Sequence, residues 1–278
     1  MKLHIKHFFT FSFLFELFLF IFTQYLALGV ALSYALKYKE QALKSSALPA
    51  WQFILAFIIA TTILLIILKY FKKPWLIQVL FYFAILEGLW IFGSAYFDWP
   101  DVLYFLAGVL LLWLFYRNVF MHNIVLVMAV SAIAVLFGQN LMPSSAIVIL
   151  VILGFYDYIA VLQTKHMVSM FKGLAENKVY FSLIIPQRFK GLFKKINEVS
   201  PQTEFMFLGT GDLAIPAIFI IACLKTSFLT SLCVGLGAVL GFIFLYILFI
   251  TQKERVPMPG LPPIILGCLL GYLISFLI

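Results

Sequence analysis

Charged side chains are scarce in this chain. They make up 11% of its 278 residues, while 64% are hydrophobic, and no water-soluble domain tolerates that balance. Cysteine is scarcer still. Cys223, Cys233 and Cys268 fall in apolar stretches without CxxC spacing, which argues against a disulfide framework or a thiolate metal site and leaves small packing residues. Among the four histidines, His4 and His7 flank a basic N-terminus, and His122 and His166 are expected in cytoplasmic loops. None pairs at ligand spacing, so no metal and no cofactor is expected. The net charge of +8 would suggest nucleic acid in a soluble protein. Orientation in a membrane explains it more simply, and no nucleic-acid partner is expected.

What the chain has instead is long apolar runs. About nine are long enough to span a bilayer. They cover 8–36, 50–68, 75–97, 102–116, 124–141, 144–164, 205–224, 228–250 and 260–278. The sequence therefore predicts an all-α polytopic membrane protein embedded in a lipid bilayer. The Phe-rich core behind Lys2 and Lys6 is too long for the ~7–15-residue core of a cleaved signal peptide, so the first run is expected to be a retained anchor. The 32 phenylalanines read as bilayer-facing and packing residues rather than a cofactor box.

Positive charge divides the loops. Lys2, Lys6, Lys69, Lys72, Lys73, Arg117 and most of the Lys and Arg between Lys165 and Arg255 fall on the N-terminal side. Only Lys37, Lys39, Lys44 and Lys225 fall on the other, together with Asp98 and Asp101. The positive-inside rule then puts the N-terminus in the cytoplasm and, with an odd number of spans, the C-terminus outside. The one long loop, about 165–204, is accordingly cytoplasmic. Within it Val179 to Ile185 is rich in β-branched and aromatic residues and ends at Pro186, which predicts a short strand. Arg188 to Glu198 is basic with interspersed Phe189, Leu192, Phe193 and Ile196, a pattern that suits an interfacial amphipathic helix.

Against this background a bare carboxylate inside a span is conspicuous. Asp212 lies in the run FMFLGTGDLAIPA, between Phe205 and Ala217. An acid near mid-membrane costs several kcal/mol, which makes it a functional hypothesis by default. Gly209 and Gly211 flank it without side-chain bulk, and Pro216 cannot donate the helical hydrogen bond to the Asp212 carbonyl. The preceding span carries one acid, Asp157, in Gly154-Phe155-Tyr156-Asp157. Counting from the expected cytoplasmic ends, both acids lie roughly 10–12 Å deep at 1.5 Å per residue. Helices joined by one loop commonly pack together, so the two carboxyls can face each other.

Two carboxyls held close do not both ionise, and the pair shares a proton. That supplies an acid and a base in one site, as in aspartic proteases. One would activate a water while the other protonates the amide carbonyl, giving a tetrahedral gem-diol. The same acids would equally suit a proton- or cation-coupled transporter. From spacing alone both readings stay open.

The motifs decide between them by resemblance. Tyr156-Asp157 in one span and Gly209-Thr210-Gly211-Asp212 in the next resemble the YD and GxGD motifs of the presenilin/signal peptide peptidase family. Pro259-Gly260-Leu261-Pro262, at the start of the last span, resembles that family's PAL motif with Gly260 where Ala is usual. The resemblance runs through the whole chain and implies a presenilin-like fold and an archaeal-type, compact homologue. It implies a single membrane-embedded protease domain over 1–278, with scaffold helices in 1–142 and catalytic helices in 143–278. Asp157 and Asp212 would be the catalytic pair, and Pro259, Gly260 and Leu261 would shape the floor of the site. Glycine at 260 should preserve close backbone approach. The implied activity is that of an intramembrane aspartyl endopeptidase acting on transmembrane segments or remnant signal peptides. Such a substrate must unwind, and Val179 to Ile185, with Leu183 at its centre, is expected to pair with it as an added strand. Tyr156 suits a hydrogen bond at the pair or packing beside Asp157 equally. Glu16 and Glu87, acids without motif context, read as polar contacts between helices.

Overall fold

The computed structural model describes residues 10–38, 74–163, 179–200, 204–252 and 258–278, together with residue 175 and scattered positions between 51 and 62. The expected span at 50–68 lies almost wholly outside these residues, as do His4, His7 and His166. Among the described residues five helices are long and apolar enough to cross a membrane, and three shorter apolar helices accompany them. In chain order the helices are α1 (Phe11–Lys37), α2 (Pro74–Tyr96), α3 (Asp101–Phe115), α4 (Val119–Gly138), α5 (Pro143–Tyr158), α6 (Thr210–Cys223), α7 (Phe228–Thr251) and α8 (Leu261–Ile274). Two short strands, β1 (Ser182–Pro186) and β2 (Phe205–Gly209), lie between α5 and α6.

The polarity of the helices is reversed relative to a water-soluble bundle. On α1 the buried face carries Ser12, Glu16, Thr23 and Gln24 among Phe13, Phe20 and Ala27, while Leu14, Phe18, Phe22 and Tyr25 point outward. Large apolar side chains outside and polar ones inside suit a hydrocarbon surround, where only buried polar groups find partners. The chain is a multi-pass membrane protein.

Helix α4 is the central post. It packs against α1, α2, α6 and β1, and its start is fixed by Asn118, whose side chain accepts from the Met121 amide at 2.9 Å. It begins earlier than the expected 124–141 span, which takes His122 out of a loop and into the first turn. There His122 is 2% exposed. Close approach along α4 needs small residues: a Cβ added at Gly88 would lie 2.6 Å from Ala129 Cβ, and one at Gly138 2.7 Å from Ile218 O.

Helices α7 and α8 form an antiparallel hairpin joined backbone to backbone. The glycines come in two GxxxG pairs, Gly237 with Gly241 and Gly267 with Gly271. A Cβ at Gly237 would overlap the Gly267 carbonyl, one at Gly271 the Cys233 carbonyl, and one at Gly241 would lie 2.5 Å from Pro263 O. Small-residue seams of this kind let membrane helices gain contact and packing that apolar side chains alone do not supply.

Two local predictions are corrected. The run 205–224, expected as one helix, splits into β2 and α6: Phe205–Gly209 pairs antiparallel with β1, Ser182 opposite Gly209 and Pro186 opposite Phe205. Apolar periodicity cannot separate a short strand from a helix turn, and the partner strand decides it. The segment 188–198 forms two 3₁₀ turns, Phe189–Phe193 and Ile196–Glu198, instead of an amphipathic helix. Between them the backbone extends to pair with the start of α4, Val119 N–H donating to Lys194 O at 3.1 Å and Ile196 N–H to Arg117 O at 3.0 Å. Gly191, pressed against Pro186, weakens any helix there.

Candidate active site

Asp157 is the penultimate residue of α5, where the α-helix passes into a π-helical turn over Ile159–Gln163. Such turns recur at functional positions because they re-aim the side chains beside them. Asp157 is 4% exposed. One turn earlier, Gly154 admits Ile265, which would stand 2.9 Å from an added Cβ. This brings the N-terminus of α8 against α5.

That N-terminus meets the acid. Leu261 N–H donates to Asp157 Oδ2 at 3.1 Å. The first turn of a helix carries amide groups without intrahelical partners, which favour an anion. Pro262 and Pro263 have no such groups. The amide of Leu261 is therefore the donor the first turn of α8 offers, and it goes to Asp157.

Asp212 is held by a different device. With β2 ending at Gly209, it falls in the first turn of α6 rather than several residues inside a span. The start of α6 is tied to the loop before β1, where Phe181 O accepts from the Thr210 amide and from Thr210 Oγ1, the latter at 3.2 Å. Gln24 of α1 donates to Leu213 O at 3.2 Å. Asp212 is half-buried, and its carboxyl folds back over Gly209 and reaches Gly260. A Cβ added at Gly209 would stand 3.2 Å from Asp212 Oδ2; one at Gly260 would stand 2.8 Å from Oδ1 and 2.9 Å from Oδ2. Consecutive residues of one segment thus touch both acids, Leu261 on Asp157 and Gly260 against Asp212.

The other expected site residues divide. Pro259 and Leu261 are buried at the start of α8. Gly211 is exposed and borders open space, with nothing within 4 Å of an added Cβ. Tyr156 is exposed and makes no hydrogen bond to either acid. Leu183 is fully buried in the helix core, opposite Leu208 in the strand pair. Glu87 is exposed, whereas Glu16 is buried with Oε2 unpartnered.

Sequence reasoning missed the support beneath β1. Asn123 Nδ2 donates to Ile184 O at 2.8 Å and Asn123 Oδ1 accepts from Ile184 N–H at 2.9 Å. Beside it His122 Nε2 meets Ser182 O at 3.2 Å. These two side chains act as a third strand along the edge of β1 that faces away from β2. The signal was present as two adjacent hydrogen-bonding residues at the start of an apolar run.

A family model described as signal-peptide peptidase, presenilin aspartyl protease matches residues 17–278. A sequence comparison with curated proteins returned no match. Among solved structures, a presenilin family intramembrane aspartate protease in a C222 crystal form is similar at 22% identity, covering 94% of this chain and 95% of that one with a TM-score of 0.63. A P2 crystal form is similar at 21% identity, covering 94% and 96% with a TM-score of 0.65. That likeness is one of fold; the family match carries the assignment and lends no support to a transporter. The chain belongs to the signal-peptide peptidase and presenilin family of aspartyl proteases.

Proposed function

We propose that Asp157 and Asp212 are the catalytic pair of this aspartic-type endopeptidase, and that it cleaves transmembrane segments of membrane proteins or remnant signal peptides within the bilayer. The observation that carries the reading is the Pro259–Leu261 segment, which reaches both acids at once. Asp157, receiving the backbone amide of Leu261, suits the member that acts as base and activates the water. Asp212 suits the member that holds the shared proton and delivers it to the scissile carbonyl. No metal or cofactor is called for in this scheme.

The domain is read as a single unit over 1–278 with about nine spans. The first five, in 1–142, serve as scaffold, and those in 143–278 carry the acids, with the cytoplasmic loop about 165–204 between them. The N-terminus is cytoplasmic and the C-terminus extracytoplasmic, on the strength of the loop charges.

A transmembrane substrate must be unwound into an extended form before its amide is open to attack. For the pairing expected at Val179–Ile185, β1 itself offers no open edge. The outer edge of β1 is occupied by Asn123 and His122, and its inner edge by β2. The opposite edge of the sheet belongs to β2, which leads through Gly209 to Asp212. An extended substrate laid along β2 would bring its amide to the acids, with β1 and Leu183 as backing.

The test is cleavage of a transmembrane peptide by the purified chain in detergent, with Asp157→Ala and Asp212→Ala in parallel. Both variants should lose cleavage, and the wild type should show a bell-shaped pH profile. Cleavage surviving either substitution would remove that residue from the pair.

A further inference from the structure

The 3₁₀ turns at 188–198 hold two aromatic rings outside the core. Phe189 is 61% exposed and Phe193 60% exposed, although Leu192 between them is buried in one cluster with Tyr180, Ile184 and Phe205. The two rings belong to a longer row. Phe15 stacks on Phe11, Phe11 meets Phe189 edge to face at 5.9 Å, Phe189 meets Phe193 at 5.8 Å, and Phe193 lies 6.4 Å from Phe120. The row therefore crosses from the start of α1 to the start of α4. Along α1 it leads on to the stacked, outward-facing Phe18 and Phe22, which belong to the surface that suits hydrocarbon.

Cations stand among these rings. Arg188, Lys190, Lys194 and Lys195 are all exposed. Exposed Arg117 lies across the backbone pairing that joins Lys194 and Ile196 to the start of α4, and its guanidinium donates to Tyr82 Oη at 3.2 Å. Two acids are near: Glu204 meets Lys194 at 3.8 Å, and Glu198 is exposed on the second turn. Among the described residues Arg188, Lys190 and Lys195 have no acidic partner. Rings of this size are poorly placed in water, and ammonium groups are poorly placed in hydrocarbon. The layer that accepts both is the boundary where acyl chains meet headgroups. An acidic soluble protein would match the charge alone. The rings run without a break into the outward face of α1, so the surface that matches both is the bilayer itself.

We propose that residues 117–120 and 188–195 form a seat for anionic phospholipid headgroups, with the rings among the upper acyl chains and the cations on the phosphates. The seat is built onto the sheet beside the acids. Gly191 presses on Pro186, the last residue of β1, where an added Cβ would lie 2.5 Å from Pro186 Cβ. Lys194 Nζ stands 5.7 Å from the centre of the Phe205 ring of β2, and Gln187 N–H donates to Glu204 O at 3.0 Å. Headgroup contact therefore sets the level of the strand pair against the membrane. Strand β2 runs directly into the turn that carries Asp212.

The test reconstitutes the full chain in phosphatidylcholine bilayers and follows trace spin-labelled lipid, whose spectrum separates motionally restricted chains from free ones. The readout needs no cleavage, so it stands apart from the catalytic reading. Labelled phosphatidylglycerol should be restricted about threefold more strongly than labelled phosphatidylcholine, within the attraction a few cations exert at a membrane surface. That selectivity should fall by about half or more in the triple variant Arg188→Gln/Lys190→Gln/Lys195→Gln, and likewise in about 0.5 M salt. Each single substitution should take part of it. The three side chains are exposed, so thermal unfolding should match wild type. A second triple variant, Lys69→Gln/Lys72→Gln/Lys73→Gln, removes the same charge from another stretch of the sequence and should leave most of the selectivity in place. Equal restriction of the two lipids by wild type would overturn the proposal and leave the patch to an acidic protein surface. Equal losses in the two triple variants would overturn it too, reducing the patch to a share of the general positive charge.

Discussion

Placing alanine at position 260 should damage this enzyme while leaving its fold intact. Gly260 has φ −80° and ψ −36°, a conformation open to any residue, so alanine adds no backbone strain. Fixing the unfolded chain more tightly should even raise stability by about 0.4–1 kcal/mol. The new methyl, however, would stand 2.8–2.9 Å from Asp212 Oδ1, Cγ and Oδ2. An ordinary contact needs roughly half an ångström more. The carboxyl is the free end of a rotatable side chain and yields more easily than the helix does. It would swing away from Gly260 and out of register with Asp157. A displacement of about 1 Å can cost about 10²-fold in rate, so kcat/KM should fall at least about tenfold, near 1.4 kcal/mol of transition-state stabilisation. Peptide cleavage and thermal unfolding measured on the same preparation separate the two effects. An unchanged kcat/KM would mean that the Asp212 carboxyl does not rest against Gly260 in the working enzyme. The family resemblance, with alanine usual at this position, leads to the opposite expectation, which makes the substitution informative either way.

Two further substitutions probe the frame around the acids. Asn123→Ala removes both hydrogen bonds to Ile184 and leaves a buried amide and carbonyl unmet, a loss of about 2–4 kcal/mol; chemical unfolding in detergent should show it, with proteolysis near β1 accelerated. Gly237→Leu would drive a side chain into the Gly267 backbone and should abolish the folded state, read as loss of a monodisperse peak in size exclusion. Gly235→Ala on the same helix, whose nearest neighbour would be Ile220 Cδ1 at 3.7 Å, should change stability by less than about 1 kcal/mol.

The acids and the segment that joins them were legible in the sequence because each breaks an otherwise uniform apolar text. Asp157 and Asp212 are anomalous wherever they fall in a span, and Pro259-Gly260-Leu261-Pro262 is anomalous as helix. The strand before Asp212 was not legible. Phe205–Gly209 is as apolar as the helix it precedes, and its conformation is decided by β1, more than a dozen residues away across a loop. For the same reason Asp212, expected several residues inside a span, begins its helix instead of lying within it. His122 and Asn123 were hidden by position, since polar residues at the edge of an apolar run usually face headgroups or water. Here the helix starts earlier, at the Asn118 cap, and carries both inward. The paired glycines of α7 and α8 were visible at GxxxG spacing, but spacing alone does not name the partner helix.

The seam between α7 and α8 bears on how the third side of the site is delivered. Backbone meets backbone there with no side chains between, so the hairpin has almost no compressible layer. Gly260 lies just beyond its tip, one residue before α8 begins. A push on the far end of the hairpin would therefore arrive at the acids as a displacement and not be absorbed on the way. The pair of helices is a stiff lever whose short arm ends at Asp157 and Asp212. Whatever leans on its lipid-facing side, annular lipid or an incoming segment, acts on the spacing of the two carboxyls.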